Sequence, residues 1–213
     1  MAKLYFRYGA MNSGKTTILQ QVAYNYEENK KNVIVLKPAS DTKGDKKVTS
    51  RIGLEREVDY LIYPEESIFN KVDIEELDCI LVDEAQFFMP NQITELFVMT
   101  KVYDIPVICY GLRTDYKTNL FPGSERLLAL ADEIEEMKTI CSCGKAARFN
   151  ARYDLKTKEY IKEGNQVQID DGTVGYKPLC GECYIKNVGF KMDDKIVEAD
   201  FDKVFVKERK KCK

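Results

Sequence analysis

Short apolar runs alternate with amphipathic stretches along the first two thirds of the chain. The runs have the length of strands and no strict alternation, which is typical of strands buried on both faces of a parallel sheet. They lie at residues 4–8, 33–36, 79–82 and 106–110. Between the runs, apolar residues recur at helical spacing, as at Ile18, Leu19, Val22, Ala23 and Tyr26. Strands that alternate with helices predict an α/β fold with a mostly parallel sheet flanked by helices.

Weaker patterns indicate the other elements of this part of the chain. Residues 58–62 are predicted to form a strand, followed by a short helix from about Pro64. Residues 40–57 carry many charges and two glycines but no sustained period, so we predict a long surface loop. Ser124 is predicted to cap a helix.

The first glycine-rich segment has the pattern of a phosphate-binding loop. Residues 9–16 read G-x-x-x-x-G-K-T and stand between the first predicted strand and the first predicted helix. Backbone N–H groups in such a loop, backed by the helix dipole, bind the phosphates of a nucleotide such as ATP. Lys15 would add a positive charge, and the Thr16 hydroxyl would be a ligand for Mg²⁺. The predicted nucleotide-binding residues are Gly9, Ala10, Met11, Asn12, Ser13, Gly14, Lys15 and Thr16.

A second part of the nucleotide site is predicted where the run at 79–82 ends. Asp83 would emerge at the carboxyl edge of the sheet, where it can hold the hydration shell of Mg²⁺. Ala85 and Gln86 follow it and are assigned to the same site. Glu84 is the candidate general base, which in a hydrolase orients water and in a kinase accepts the proton of a substrate hydroxyl. The motif alone does not choose between these reactions.

The composition excludes several kinds of protein and mechanism. The chain has 213 residues, of which 33 are Lys or Arg and 35 are Asp or Glu, for a formal net charge of −2. This balance predicts no general attraction to nucleic acid or to a membrane surface, and no apolar stretch is long enough to span a bilayer. The first residues lack a secretory pattern, so we expect a cytoplasmic protein. Histidine is absent, which excludes a histidine base and histidine metal ligands.

Seven cysteines in a reducing compartment are expected to be core residues or metal ligands. Cys79 and Cys109 lie inside apolar runs and are predicted to be buried. Four others form two close pairs about forty residues apart: Cys141 with Cys143, and Cys180 with Cys183. This arrangement predicts a structural zinc site, which would stabilise a segment too small to form its own core. Unligated thiols are the alternative.

The segment between the cysteine pairs is polar and rich in turns. Residues 149–153 and 158–161 are predicted to pair as a hairpin. Residues 164–178 are predicted to form a loop punctuated by glycines.

Six motifs follow one another along the chain. In order they are GAMNSGKT, KPASDT, DEAQFF, YGLRTDYKTNLF, the paired cysteines and VGYKPLC. Their order and spacing resemble the type II, cytosolic thymidine kinase family over about residues 3–185. The resemblance implies a P-loop, RecA-like domain at 1–137, a small zinc-ribbon domain with a lasso loop at 138–192, and a charged tail at 193–213. It also implies that the γ-phosphate of ATP is transferred to the 5′-hydroxyl of deoxythymidine, with deoxyuridine as a further possible substrate.

The resemblance also implies roles for individual residues. Glu84 would deprotonate the 5′-hydroxyl, and Asp83 and Asp41 would lie near Mg²⁺. The thymine and the sugar would be contacted by Met11, Phe87, Leu112, Tyr116, Asn150, Ile169 and Tyr176. Tyr116 stands where the family has Phe, so its hydroxyl needs a partner. The family further implies a homotetramer, feedback inhibition by dTTP, and ATP, Mg²⁺ and structural Zn²⁺ as cofactors.

Two other functions fit parts of the sequence. Residues 83–86 resemble a helicase DEAx box, which would suit a nucleic-acid-dependent ATPase, but the net charge of −2 and the chain length disfavour it. A zinc-ribbon binding module with an inactive nucleotide site is the other alternative. The intact Gly14, Lys15 and Thr16 disfavour that function.

Overall fold

The computed structural model describes residues 1–39, 46–166, 172–192 and 195–197. Its contacts divide the chain into two compact units. The first, called the sheet unit here, comprises the described residues of Met1–Thr114 and Leu120–Met137. The second, called the cysteine unit, comprises the described residues of Asp115–Asn119 and Lys138–Lys213. Each unit is therefore built from two separate pieces of the chain.

The sheet unit contains a six-stranded sheet in which all neighbouring strands are parallel. The strands of this unit, in chain order, are β1 (Leu4–Tyr8), β2 (Val33–Pro38), β3 (Lys47–Thr49), β4 (Glu55–Glu57), β5 (Tyr60–Ile62), β6 (Cys79–Val82), β7 (Val107–Gly111) and β8 (Glu133–Glu136). The order across the sheet is β5-β2-β6-β7-β1-β8. This arrangement confirms the predicted α/β fold with a mostly parallel sheet. It also brings the ends of β1, β2, β6 and β7 to one edge.

Helices cover both faces of this sheet. They are α1 (Lys15–Glu28), α2 (Ile68–Lys71), α3 (Pro90–Val102) and α4 (Pro122–Leu130). One buried cluster joins α3 and α4 to the sheet through side chains such as Leu96, Leu127 and Val107. A second cluster joins α1 to the opposite face, through Leu19 and Leu81 for example. Neighbouring residues of a strand point to opposite faces, so strands covered on both faces need the continuous apolar runs seen in the sequence.

Cys79 and Cys109 are fully buried, one in each of these clusters, as predicted. The predicted short helix begins at Ile68, four residues beyond Pro64. None of the described helices has both the length and the apolar character needed to cross a bilayer.

The prediction that Ser124 caps α4 is wrong. The helix begins at Pro122, because Pro is well suited to the first helical position, and Ser124 lies inside the first turn. The Ser124 hydroxyl is fully buried and donates a hydrogen bond to the carbonyl oxygen of Leu112, 2.5 Å away. Ser124 therefore holds the chain that follows β7 rather than the end of its own helix.

The predicted long loop also contains regular structure. Residues 40–45 lie outside the described residues, but β3 and β4 form an antiparallel hairpin within the remainder. The Gln20 side-chain amide on α1 donates to the carbonyl oxygens of Val48, at 2.7 Å, and Leu54, at 3.2 Å. Strands of three residues are too short to show a period, so only these contacts with α1 reveal the hairpin.

Strand β8 has no counterpart in the predictions. Its sequence, Glu-Ile-Glu-Glu, contains one apolar residue, and Ile134 is 48% exposed. The strand lies at the edge of the sheet, where it pairs in parallel with β1. An edge strand is stabilised largely by backbone hydrogen bonds, so its sequence need not be apolar.

The cysteine unit consists of two-stranded antiparallel ladders and one short helix. Its elements are β9 (Thr139–Ile140), β10 (Ala146–Ala147), β11 (Phe149–Asp154), β12 (Val174–Leu179), α5 (Gly181–Asn187), β13 (Phe190–Met192) and β14 (Lys195–Val197). Strand β9 pairs with β10, β11 with β12, and β13 with β14. A small third core cluster, which includes Leu179 and Tyr184, lies among these elements.

The predicted hairpin in this unit has the wrong partner. Strand β11 pairs along its whole length with β12, whereas residues 158–161 contribute only a single bridge, between Tyr153 and Tyr160. Strand β12 falls inside the segment predicted to be a loop, because Gly175 and Pro178 look like turn residues in the sequence. Pro178 lies opposite Asn150 on a two-stranded ladder, where one edge of each strand is free to lack a donor.

Candidate active site

The G-x-x-x-x-G-K-T segment forms a tight loop between β1 and α1. Asn12 and Gly14 have left-handed backbones, with φ of 66° and 78°, and these two residues coil the chain back on itself. A Cβ atom at Gly9 would lie 2.5 Å from the carbonyl oxygen of Met137 and 2.5 Å from the Ser13 hydroxyl. Only glycine fits at that position. The helix then begins at Lys15, so its free N–H groups face the loop.

Lys15 is buried inside this loop. Its ammonium group donates to the carbonyl oxygens of Gly9, at 3.2 Å, and Ala10, at 3.0 Å. Burial lowers the pKa of Lys15, an effect that the nearby carboxylates of Glu84 and Asp83 oppose. Lys15 therefore lies close enough to both acidic side chains to be influenced by their charges. This arrangement places a positive charge where a bound phosphate group would need one.

Asp83 follows the last residue of β6 and is 4% exposed. Its backbone N–H donates to the carbonyl oxygen of Leu36, so the chain is still held to the sheet at this point. Burial, and then the adjacent Glu84 carboxylate, raise the pKa of Asp83 to about 7, against the opposing effect of Lys37 and Lys15. A buried carboxylate beside two ammonium groups is a hard oxygen donor, which suits Mg²⁺.

Glu84 has a left-handed backbone, with φ of 49° and ψ of 42°. This conformation is uncommon for a residue with a Cβ and typical of strained functional positions. The side-chain amide of Gln86 donates to Oε2 of Glu84 at 2.6 Å, and its carbonyl oxygen accepts from the backbone N–H of Leu112 at 2.9 Å. The half-buried Glu84 carboxylate is therefore held in place by the turn that follows it.

Sequence reasoning did not identify Lys37 as part of this site. It lies in β2, beside the strand that carries Asp83, and is 4% exposed. Its ammonium group donates to the carbonyl oxygen of Lys47 in the hairpin at 3.3 Å and lowers the pKa of Asp83. The sequence held a signal for it, because Lys37 is the first charged residue after a buried strand that ends at the same edge as β6.

The predicted nucleoside-contact residues are distributed over both units. Met11, Phe87 and Leu112 belong to the sheet unit, at the P-loop, in the turn after β6 and after β7. Phe87 contacts Phe121 edge to face, with ring centroids 5.5 Å apart. The predicted residues of the cysteine unit are Tyr116, Asn150 and Tyr176. Two further predictions, Asp41 and Ile169, lie outside the described residues.

The Tyr116 hydroxyl has a partner within the cysteine unit. It accepts a hydrogen bond from the guanidinium group of Arg152 at 2.7 Å, and the same group lies over the Tyr116 ring, 3.8 Å from its centroid. Arg152 is 2% exposed, and it also donates to the carbonyl oxygens of Glu163 and Asn165. Sequence reasoning missed Arg152, because nothing in the pattern of β11 distinguishes it from an exposed arginine.

The four paired cysteines converge in the cysteine unit. The sulfur atoms of Cys141, Cys143, Cys180 and Cys183 all lie within 4.8 Å of one another. Four thiolates around one zinc ion lie roughly 3.8 Å apart, given a Zn–S distance of about 2.3 Å. Although burial opposes the effect, hydrogen bonds from backbone N–H groups at Cys143 and Cys180 lower the pKa of Cys141 to about 6. The donor set and its spacing fit a zinc ion, including the short C-x-C pair.

Comparison with known proteins identifies the relatives of this chain. A model of the thymidine kinase family matches residues 2–184. The thymidine kinase of Haemophilus influenzae is 45% identical over 194 residues, which cover 89% of this chain and 99% of that protein. The thymidine kinase of Pasteurella multocida is 46% identical over 185 residues, which cover 84% of this chain and 95% of that protein.

Among solved structures, the Pif1 helicase from Candida albicans is similar over 65% of this chain and 36% of its own. The sequence identity is 11% and the TM-score is 0.39, a likeness too low to support an argument about function. The sequence relatives thus favour a kinase over a nucleic-acid-dependent ATPase.

Proposed function

The chain belongs to the thymidine kinase family, and we propose that it transfers the γ-phosphate of ATP to the 5′-hydroxyl of deoxythymidine, giving dTMP and ADP. One structural observation carries the proposal. The P-loop lysine, Lys15, lies in the field of both Asp83 and Glu84, so the groups needed for phosphoryl transfer meet at one edge of the sheet. Deoxyuridine, which lacks only the thymine methyl group, is proposed as a second substrate.

The phosphate groups of ATP would be bound by the P-loop. Its backbone N–H groups and the first turn of α1 are oriented toward an anion, and Lys15 supplies a charge to offset the one that develops on the transferred group. Thr16 and Asp83 would hold Mg²⁺, which would neutralise phosphate charge when bound. Asp41 is assigned to the same region from the family resemblance.

Glu84 is proposed as the general base that takes the proton of the 5′-hydroxyl. The support is its left-handed backbone at the end of β6 and the hydrogen bond that orients its carboxylate. A base positioned before the substrate arrives avoids the cost of ordering it during the reaction. Most of the rate enhancement would still come from positioning and from the charges around the phosphate.

Nucleoside contacts remain assigned as the family resemblance implies. In the sheet unit they are Met11, Phe87 and Leu112. In the cysteine unit they are Tyr116, Asn150, Ile169 and Tyr176. We further propose the domain bounds 1–137, 138–192 and 193–213, a structural zinc ion at the four cysteines, a cytoplasmic location, a homotetramer and feedback inhibition by dTTP.

The proposed function is tested by measuring ADP release with a panel of nucleosides. We expect release with deoxythymidine, weaker release with deoxyuridine, and none above background with purine deoxynucleosides, with zinc content measured on the same sample. The control reaction replaces the nucleoside with single-stranded oligonucleotide. ADP release that follows the oligonucleotide and ignores deoxythymidine would overturn the proposal.

A further inference from the structure

The side chain of Gln86 uses both ends of its amide within the sheet unit. Its N–H group donates to Oε2 of Glu84 at 2.6 Å, and its oxygen accepts from the backbone N–H of Leu112 at 2.9 Å. Gln86 is 1% exposed, so water does not compete for these bonds. A buried amide with a donor at one end and an acceptor at the other has only one orientation that satisfies both.

Two glycines restrict Gln86 further. A Cβ atom at Gly111 would lie 2.7 Å from the Gln86 side-chain oxygen, and one at Gly123 would lie 2.9 Å from the Gln86 carbonyl oxygen. The backbones at the end of β7 and the start of α4 therefore approach the turn more closely than any side chain allows. This packing leaves the Gln86 amide little freedom to move away from Glu84.

The contact leaves one carboxylate oxygen of Glu84 available. Within the described part of the chain, Oε2 accepts the hydrogen bond from Gln86, and Oε1 accepts none. A general base needs a carboxylate that is oriented by one oxygen and open at the other. The left-handed backbone of Glu84 fixes the direction of its Cβ, and Gln86 fixes the far end of the same side chain.

We propose that Gln86 is a positioning residue that orients Glu84 for proton transfer and links it to the chain at Leu112. This inference rests on the proposed function, in which Glu84 is the base. It differs from the sequence-based assignment of Gln86 to nucleotide binding, because the amide is directed to Glu84 and Leu112. Gln86 acts through Glu84 and does not contact the reacting atoms.

The test replaces Gln86 with methionine, which has a similar length but can neither donate to Glu84 nor accept from Leu112. We expect kcat to fall about 10- to 100-fold, because small displacements of a catalytic group cost factors of this size. The KM values for ATP and deoxythymidine should stay within about threefold of wild type. Rates are normalised to the fraction of protein that binds nucleotide, so partial misfolding does not imitate the effect.

Gln92 provides a matched control. It is also 1% exposed, and its amide makes equivalent bonds, to the carbonyl oxygens of Tyr63 and Glu66 and from the N–H of Met89. Gln92→Met should lower stability and leave kcat within about twofold. If Gln86→Met yields no folded protein, Gln86→Glu takes its place. That variant keeps an acceptor for Leu112 but loses the N–H donor, so the same loss of kcat is expected.

A double-mutant cycle separates positioning from general damage. In the Glu84→Gln background, adding Gln86→Met should change the residual rate less than about threefold, since the group that Gln86 orients is already inactive. An equal loss in both backgrounds, or a normal kcat in Gln86→Met, would overturn the inference. A normal rate in Glu84→Gln alone would instead reject Glu84 as the base, which is a distinct result.

Discussion

In the sheet unit, charged side chains stand at the ends of buried parallel strands, whereas in the cysteine unit they lie inside a small core next to four sulfur atoms. Two clusters, of 17 and 11 buried apolar side chains, stabilise the described sheet unit. The described cysteine unit has one cluster of seven, and two of its members are Cys141 and Cys180. Apolar burial can therefore support the first unit alone, while the second requires cross-linking.

The two units also bury charge differently. The sheet unit gathers charges of both signs, with Lys15 and Lys37 near Asp83, so each charge partly offsets another. In the cysteine unit, Arg152 is satisfied by an aromatic ring and by carbonyl oxygens. This difference indicates that the sheet unit is arranged for a charged ligand, whereas the Arg152 contacts order a segment of chain.

Lys15→Met should produce the greatest loss of activity. We expect phosphoryl transfer to fall by about 10³-fold or more, because a positive charge beside the transferred phosphate is lost. The fold of the sheet unit should persist, since its core is apolar. Lys31→Met serves as the control, because Lys31 is an exposed lysine paired with Asp78. Steady-state kinetics and circular dichroism measure both effects, and activity within tenfold of wild type would contradict the assignment.

Cys180→Ser should separate the two units. We expect bound zinc to fall from about one ion per chain to near zero, and residues 138–192 to become sensitive to protease. The sheet unit should still bind ATP. Cys109→Ala is the matched control, because it removes a cysteine from the apolar core and should cost stability without loss of metal. Retention of a full complement of zinc in Cys180→Ser would show that the four sulfur atoms do not form the metal site.

Arg152→Met should have a smaller and more selective effect. Methionine retains an apolar contact with Tyr116 but loses the cation–π contact and the bonds to Glu163 and Asn165. We expect the KM for deoxythymidine to rise about five- to tenfold and the KM for ATP to stay unchanged. Arg148→Met, at an exposed position on the same segment, should change neither. Equal changes in both KM values would remove Arg152 from a role specific to the nucleoside.

The sequence was sufficient for the parts of the fold that depend on local geometry. The P-loop needs left-handed residues and close backbone approach, so Gly9 and Gly14 identify it directly. Strands buried on both faces need continuous apolar runs, which is why β1, β2, β6 and β7 were predicted. Parallel strands end at one edge, and this rule was enough to bring Asp83 to the P-loop.

The errors concern contacts between residues distant in sequence. Strand β12 was missed because its partner, β11, is separated from it by about twenty residues, and Gly175 resembles a turn residue. The roles of Lys37 and Arg152 depend on burial, which no local pattern reports for a charged residue. Gln86 was assigned to the nucleotide, since its hydrogen bond to Leu112 exists only once β6 and β7 are side by side.

The central claim is that Glu84 removes the proton of a nucleoside hydroxyl at the edge of the sheet. Single-turnover transfer from ATP to deoxythymidine tests it most directly, with Glu84→Gln compared against wild type and against Glu133→Gln, which alters an exposed carboxylate. We predict that Glu84→Gln slows transfer by about 10³-fold or more while its affinity for an ATP analogue is unchanged, and that Glu133→Gln transfers at the normal rate. Transfer by Glu84→Gln within tenfold of wild type would contradict the account.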